Sequence, residues 1–129
     1  MIKLKFEKIS DDFFVADLKR EWNEEKNVHE LRLIGWQKVK GKEVEFPGFE
    51  DYTFFYYKEG ERWKSWRIAE ATTGRNINSY FEGFTLKQAK EDTLEILIEN
   101  KPDMDVRLEE LIEKFGISPR YKLITKEAL

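Results

Sequence analysis

His29 is the chain's single imidazole, and paired with Ser10, Ser65, Ser79 or Ser118 it would make a nucleophile and its base. Such a pair needs hydrogen-bond reach and, in hydrolases with a nucleophile elbow, two glycines bracketing the serine. No serine here has that bracket, and His29 sits in a polar stretch between Asn27 and Glu30 that reads as an exposed loop. One histidine without any cysteine cannot build the usual zinc sites. Asp103 and Asp105 form a D-x-D pair, but the glycine and remaining ligands of a calcium loop are missing, so helix capping is the simpler reading. Glu109 and Glu110 are adjacent and diverge on a helix rather than converge. Phosphate-cradling glycine motifs are also missing. What remains for catalysis is a pair of carboxylates in a cleft, a hydrolase arrangement that needs no motif. The residues favour a non-enzymatic protein with no cofactor and no bound metal.

The second chemistry is recognition. Asp51 to Arg75 holds seven aromatic side chains and five cations. Period-two parity puts Tyr52, Phe54 and Tyr56 on one strand face and Phe55 and Tyr57 on the other. On the returning strand Trp66 and Ile68 look inward, while Trp63 and Arg67 look to solvent. A contact surface of Tyr57, Arg62, Trp63, Arg67, Arg75, Asn76 and Asn78 follows, built from the residue types that dominate binding hot spots. A second surface is the acidic face of Glu91, Glu95, Glu99, Glu109 and Glu113. The expected function is protein–protein binding of an inhibitor, immunity or mobile-element accessory kind. A homodimer closing over the aromatic face is another occupant.

Nucleic acid is the alternative partner. The strands and helix from Gly60 to Leu97 loosely resemble the three-stranded sheet plus helix of AP2-type and integrase arm-binding domains, through Trp66, Thr73-Gly74, and Phe84-Thr85 with Ala89. That resemblance implies a sheet entering a DNA groove, with Arg62, Lys64, Arg67 and Arg75 as contacts. Arg32, Lys38, Lys40 and Lys42 would add an acid-free basic stretch. The charge balance leans the other way: 23 basic against 26 acidic residues give a net charge of −3, whereas nucleic-acid binders carry a basic excess.

The elements that must hold these residues follow from periodicity. The 129 residues fit one domain, with 40% apolar and 15% aromatic residues to fill its core. The absence of cysteine, of a long apolar run and of a basic-then-apolar leader points to a cytoplasmic protein with no membrane segment. MIKLKFEKI alternates as a strand. Ser10 followed by two aspartates, with Phe14, Leu18 and Trp22 four apart, predicts a helix over 11–23. HELRLIGWQKVKGKEVEF predicts a strand, a turn at Lys40-Gly41 and a second strand, with a bulge near Gly35. YTFFYY, WKSWRIAEA and INSYFEGF predict three more strands. Thr85 and Gln88 make a capping box ahead of a helix that Pro102 ends, and a second helix runs from Asp105 to Phe115 with Gly116 beyond it. The expectation is an α+β fold: an antiparallel meander sheet of about five to six strands, an N-terminal helix, and two C-terminal helices packed on one face.

Overall fold

A computed structural model describes residues 2–60, 65–78 and 85–128, with side chains from residue 6 to residue 123. The chain runs β1 (Ile2–Lys8), β2 (Phe13–Asn23), β3 (Val28–Val39), β4 (Lys42–Val44), β5 (Phe54–Glu59), β6 (Ser65–Glu70), α1 (Leu86–Asn100), α2 (Met104–Phe115) and β7 (Tyr121–Ala128). The expected single meander sheet is not formed. The described strands make three small antiparallel sheets, β1–β7, β2–β3 and β4–β5–β6.

The predicted N-terminal helix is instead strand β2. Phe14, Leu18 and Trp22 recur every four residues, a spacing that suits one helix stripe and equally one strand face. The deciding residues are Phe13 and Val15, two apart and both buried. Ser10 does not cap a helix; its hydroxyl accepts the Asp12 N–H at 3.1 Å, closing a turn two residues on. β2 then reverses into β3 through 24–27, where Asn27 takes φ 55° and Asn23 Oδ1 accepts the Lys26 N–H at 3.2 Å. Asn can adopt this left-handed conformation because its short polar side chain bonds locally. The β2–β3 register slips between Asp17–Gly35 and Leu18–Leu33, a bulge beside Gly35.

The hairpin expected at Lys40-Gly41 is also absent, because β4 pairs with β5 and not with β3. At Gly41 the chain passes between two rings: an added Cβ would lie 2.9 Å from the Phe55 ring and 3.1 Å from that of Phe13. It crosses from the hairpin to the three-stranded sheet there rather than turning back.

The three-stranded sheet is covered on both faces. Phe54 and Ile68 pack with Phe46, Phe49, Ala89, Leu97 and Met104, with Tyr56 and Trp66 at the margin. Phe55, Tyr57 and Ala69 pack on the other side with Phe13, Val15 and Ala71. The Phe13 and Phe55 rings stack at 4.5 Å between centroids. Phe54, Phe55 and Ile68 are 0% exposed, so each stabilises the fold by about 1.5–3 kcal/mol through burial.

The two separate C-terminal helices on one sheet face are replaced by one helical arm. α1 passes through a single 3-10 turn (Lys101–Asp103) into α2 with no loop between them. Pro102 does not end the arm, because it sits in the first turn of the 3-10 segment, where its missing N–H has no bond to lose. The Thr85–Gln88 capping box forms as expected, with bonds of 2.9 and 3.1 Å. Asp103 makes no capping hydrogen bond, whereas Asp105 accepts the Tyr52 hydroxyl. The tail adds strand β7. Arg120, 5% exposed, donates to the carbonyls of Asp11 and Asp12 at 3.0 and 3.1 Å and lies over the Phe13 ring.

Candidate functional site

Arg62 and Trp63, two of the seven residues expected on the aromatic contact surface, lie outside the described residues, as do Lys64 and residues 79–84 of the predicted following strand. Of the rest, Tyr57 and Asn78 are buried, Arg67 and Arg75 are partly buried, and Asn76 is exposed. Tyr57 is 4% exposed, and its hydroxyl donates to Asn76 Oδ1 at 2.7 Å. Burial, with Glu59 adding to it, pushes the Tyr57 phenol up to about 12. Arg67 stands opposite Tyr57 in the register; it pairs with Glu59 at 3.3 Å and donates to the Asn78 carbonyl at 3.2 Å.

Asn78, 3% exposed, does the work of a strand partner with its side chain. Its Oδ1 accepts the Ile68 N–H at 2.8 Å, and its Nδ2 donates to the Trp66 carbonyl at 3.2 Å. The Ile77 N–H adds a bond to the Ile68 carbonyl at 2.8 Å. Parity sets Tyr57 and Arg67 on the sheet face away from Ile68, and that face is covered by Phe13 and Val15 of the β2–β3 base rather than by water. Pattern alone carries no signal for what covers a face.

The turn 71–76 after β6 is fixed by a buried acid. Glu70, 4% exposed, accepts the N–H groups of Thr72 and Thr73 at 2.7 and 2.8 Å. Burial pushes its carboxyl pKa up, opposed by those two amides. Gly74, at φ 65°, rests on the hairpin base: a Cβ there would meet the Trp36 ring at 2.6 Å and the Ala16 nitrogen at 2.9 Å. The Ala16 N–H donates to the Gly74 carbonyl, and the Ser118 N–H to that of Thr72.

This turn and the helical arm enclose a groove of about 220 Å³. Ile77, Leu97, Met104, Leu108 and Leu111 form its apolar walls, and Glu70, Arg75, Asn76 and Arg107 supply polar groups. Arg75 is half-buried, and burial holds its guanidinium below its ordinary pKa. Among the described residues Glu70 is the one carboxylate lining the groove, so they bring no converging pair of the kind a carboxylate hydrolase needs to it. Among the described residues no group of three or more His, Asp or Glu side chains could hold a metal.

The second surface is the distal β2–β3 hairpin, with strands of 11 and 12 residues. Beyond the bulge Leu18 faces Leu33, Arg20 faces Leu31 and Trp22 faces His29. His29 is thus the second residue of β3, its ring edge-on to Trp22 at 5.0 Å. Eight large hydrophobic residues are exposed in the described structure, and four of them, Trp22, Val28, Leu31 and Ile34, are on this hairpin. Sequence carries little signal for this surface, because the spacing of Leu18 and Trp22 fits a helix stripe as well as a strand face. Two of the cations expected to meet DNA are paired within the fold, Arg32 with Glu21 at 3.0 Å and Lys38 with Asp12 at 3.3 Å. Glu91, Glu95, Glu99, Glu109 and Glu113 are all exposed along the helical arm. No described helix is long and apolar enough to cross a membrane. No protein-family model, curated protein or solved structure matches the chain.

Proposed function

We propose that this chain is a binding protein that acts without catalysis, by contact of its β2–β3 hairpin with another protein. The observation that carries the reading is the exposed apolar surface of this hairpin. Trp22 is 50% exposed, Ile34 54%, Val28 46% and Leu31 38%, and among the described residues no third strand pairs with it. The register sets Trp22 and Leu31 on one face and Val28 on the other. A two-stranded hairpin is marginal by itself in water, and large apolar side chains left exposed together are a common mark of an interaction site. Trp and Arg, here Trp22 and Arg20, supply a large share of interface hot spots. The open edges of β2 and β3 can add a partner strand, giving backbone hydrogen bonds in addition to side-chain contacts. A chain free of cysteine suits a reducing cytoplasm.

Site-specific photo-crosslinking in the native host tests this. A crosslinker at position 31 should yield a discrete heterologous adduct that a crosslinker at position 99 on the acidic helical face does not. The same adduct pattern from both positions would remove the hairpin from the interface. Adducts at the mass of two copies of this chain would make the partner a homodimer.

A further inference from the structure

The groove between the turn 71–76 and the helical arm carries an inference independent of the hairpin. Arg75 lines it half-buried, and among the described residues its guanidinium has no ion pair or hydrogen bond. Removing a cation from water without supplying an anion is costly, and folded proteins normally pair such a group. Arg107 lines the same groove from α2 and has no ion pair among the described residues either. The rest of the lining is mostly aliphatic: Ile77, Leu97, Met104, Leu108 and Leu111. Two cations set in an apolar lining match a ligand with an anionic head and an apolar body.

We propose that this groove binds a small free carboxylic acid with a short aliphatic tail, its carboxylate held by Arg75 and Arg107 and its tail laid against Leu108 and Leu111. A volume of about 220 Å³ holds about seven or eight non-hydrogen atoms at roughly 30 Å³ each, the size of a six-carbon acid. A guanidinium suits a carboxylate because its fork of N–H donors matches the two oxygens. Glu70 does not cancel the site. Its oxygens are turned to the amides of Thr72 and Thr73, leaving two cations against one internally bonded acid.

The test is a titration of the full chain with hexanoate, followed by amide chemical shifts and calorimetry. Saturable binding is expected, with shifts confined to residues 70–77, 96–100 and 104–111. Arg75→Gln should weaken it about ten- to a hundredfold, the size of one charge-assisted hydrogen bond. The exposed Arg107→Gln gives the same reading if Arg75→Gln misfolds. Acetate and hexanol, each with half of the required chemistry, should bind at least tenfold more weakly. Lack of saturation by hexanoate up to about 10 mM, about one decade above a 1 mM site, would overturn the proposal. Hexanol binding as well as hexanoate, or unchanged binding in both arginine variants, would overturn it too. Tighter binding of a tripeptide ending in leucine would replace the free acid with a peptide terminus.

Discussion

Glu70 is a buried acid whose carboxyl behaves unlike one on the surface. Burial raises its carboxyl above the ordinary 4.5, so the folded chain keeps a proton that the unfolded chain has already lost. From about pH 4.5 up to the raised folded value, the unfolded state binds fewer protons, and stability therefore falls as pH rises. Glu70→Gln should flatten that part of a urea-unfolding series against pH; an unchanged slope would mean that another group is responsible. Asp11, Glu30 and Glu50 are held below their ordinary values by a lysine, an amide side chain and backbone N–H groups respectively. Their linkage has the opposite sign and lies at lower pH, so the two windows separate. None of this was legible in sequence, where Glu70 is one of several acids beside a basic strand. Its burial depends on the turn folding back over it and on the helical arm closing the other side. Arg75 and Asn76 were singled out from sequence as binding residues, and both line the groove, whereas Tyr57 and Asn78 from the same set are buried in the sheet.

Among the elements, the most local signal was the best read. The Thr85–Gln88 box needs only four residues to define it, and it forms with both bonds. Thr85→Ala should cost about 0.5–2 kcal/mol, read as a lowered thermal midpoint. The least legible element was β2, because apolar residues four apart satisfy both periods and the arbiter, its pairing with β3, is a contact between distant residues. Strand partners were similarly hidden: β4 was assigned to β3 by proximity, yet it crosses at Gly41 to join β5. Gly74 is where the turn after β6 docks on the hairpin base. Gly74→Ala combines a positive φ with a backbone clash and should destabilise by more than about 1 kcal/mol in denaturant unfolding. A neutral result would mean that the hairpin base can draw away from the turn without loss.

For the whole molecule, the central sheet lies between two layers of different character. The helical arm closes one face, the base of a long hairpin closes the other, and the hairpin's distal half continues beyond this contact. Stability and recognition are therefore carried by different parts of the same two strands. Trp22→Ser, beyond the base, should change unfolding free energy by no more than about 0.5 kcal/mol while abolishing the crosslink at position 31. Phe13→Ala, at the base, should cost about 3–5 kcal/mol, and a similar cost for both would deny the division. The pairing of β1 with β7 adds a consequence in time. Ile2 lies opposite Ala128 and Lys8 opposite Tyr121, so this ladder joins residues far apart in sequence. Loop-closure entropy makes such a contact slower to form than the local β2–β3 hairpin, and until it closes β1 presents open edges in a partly folded chain.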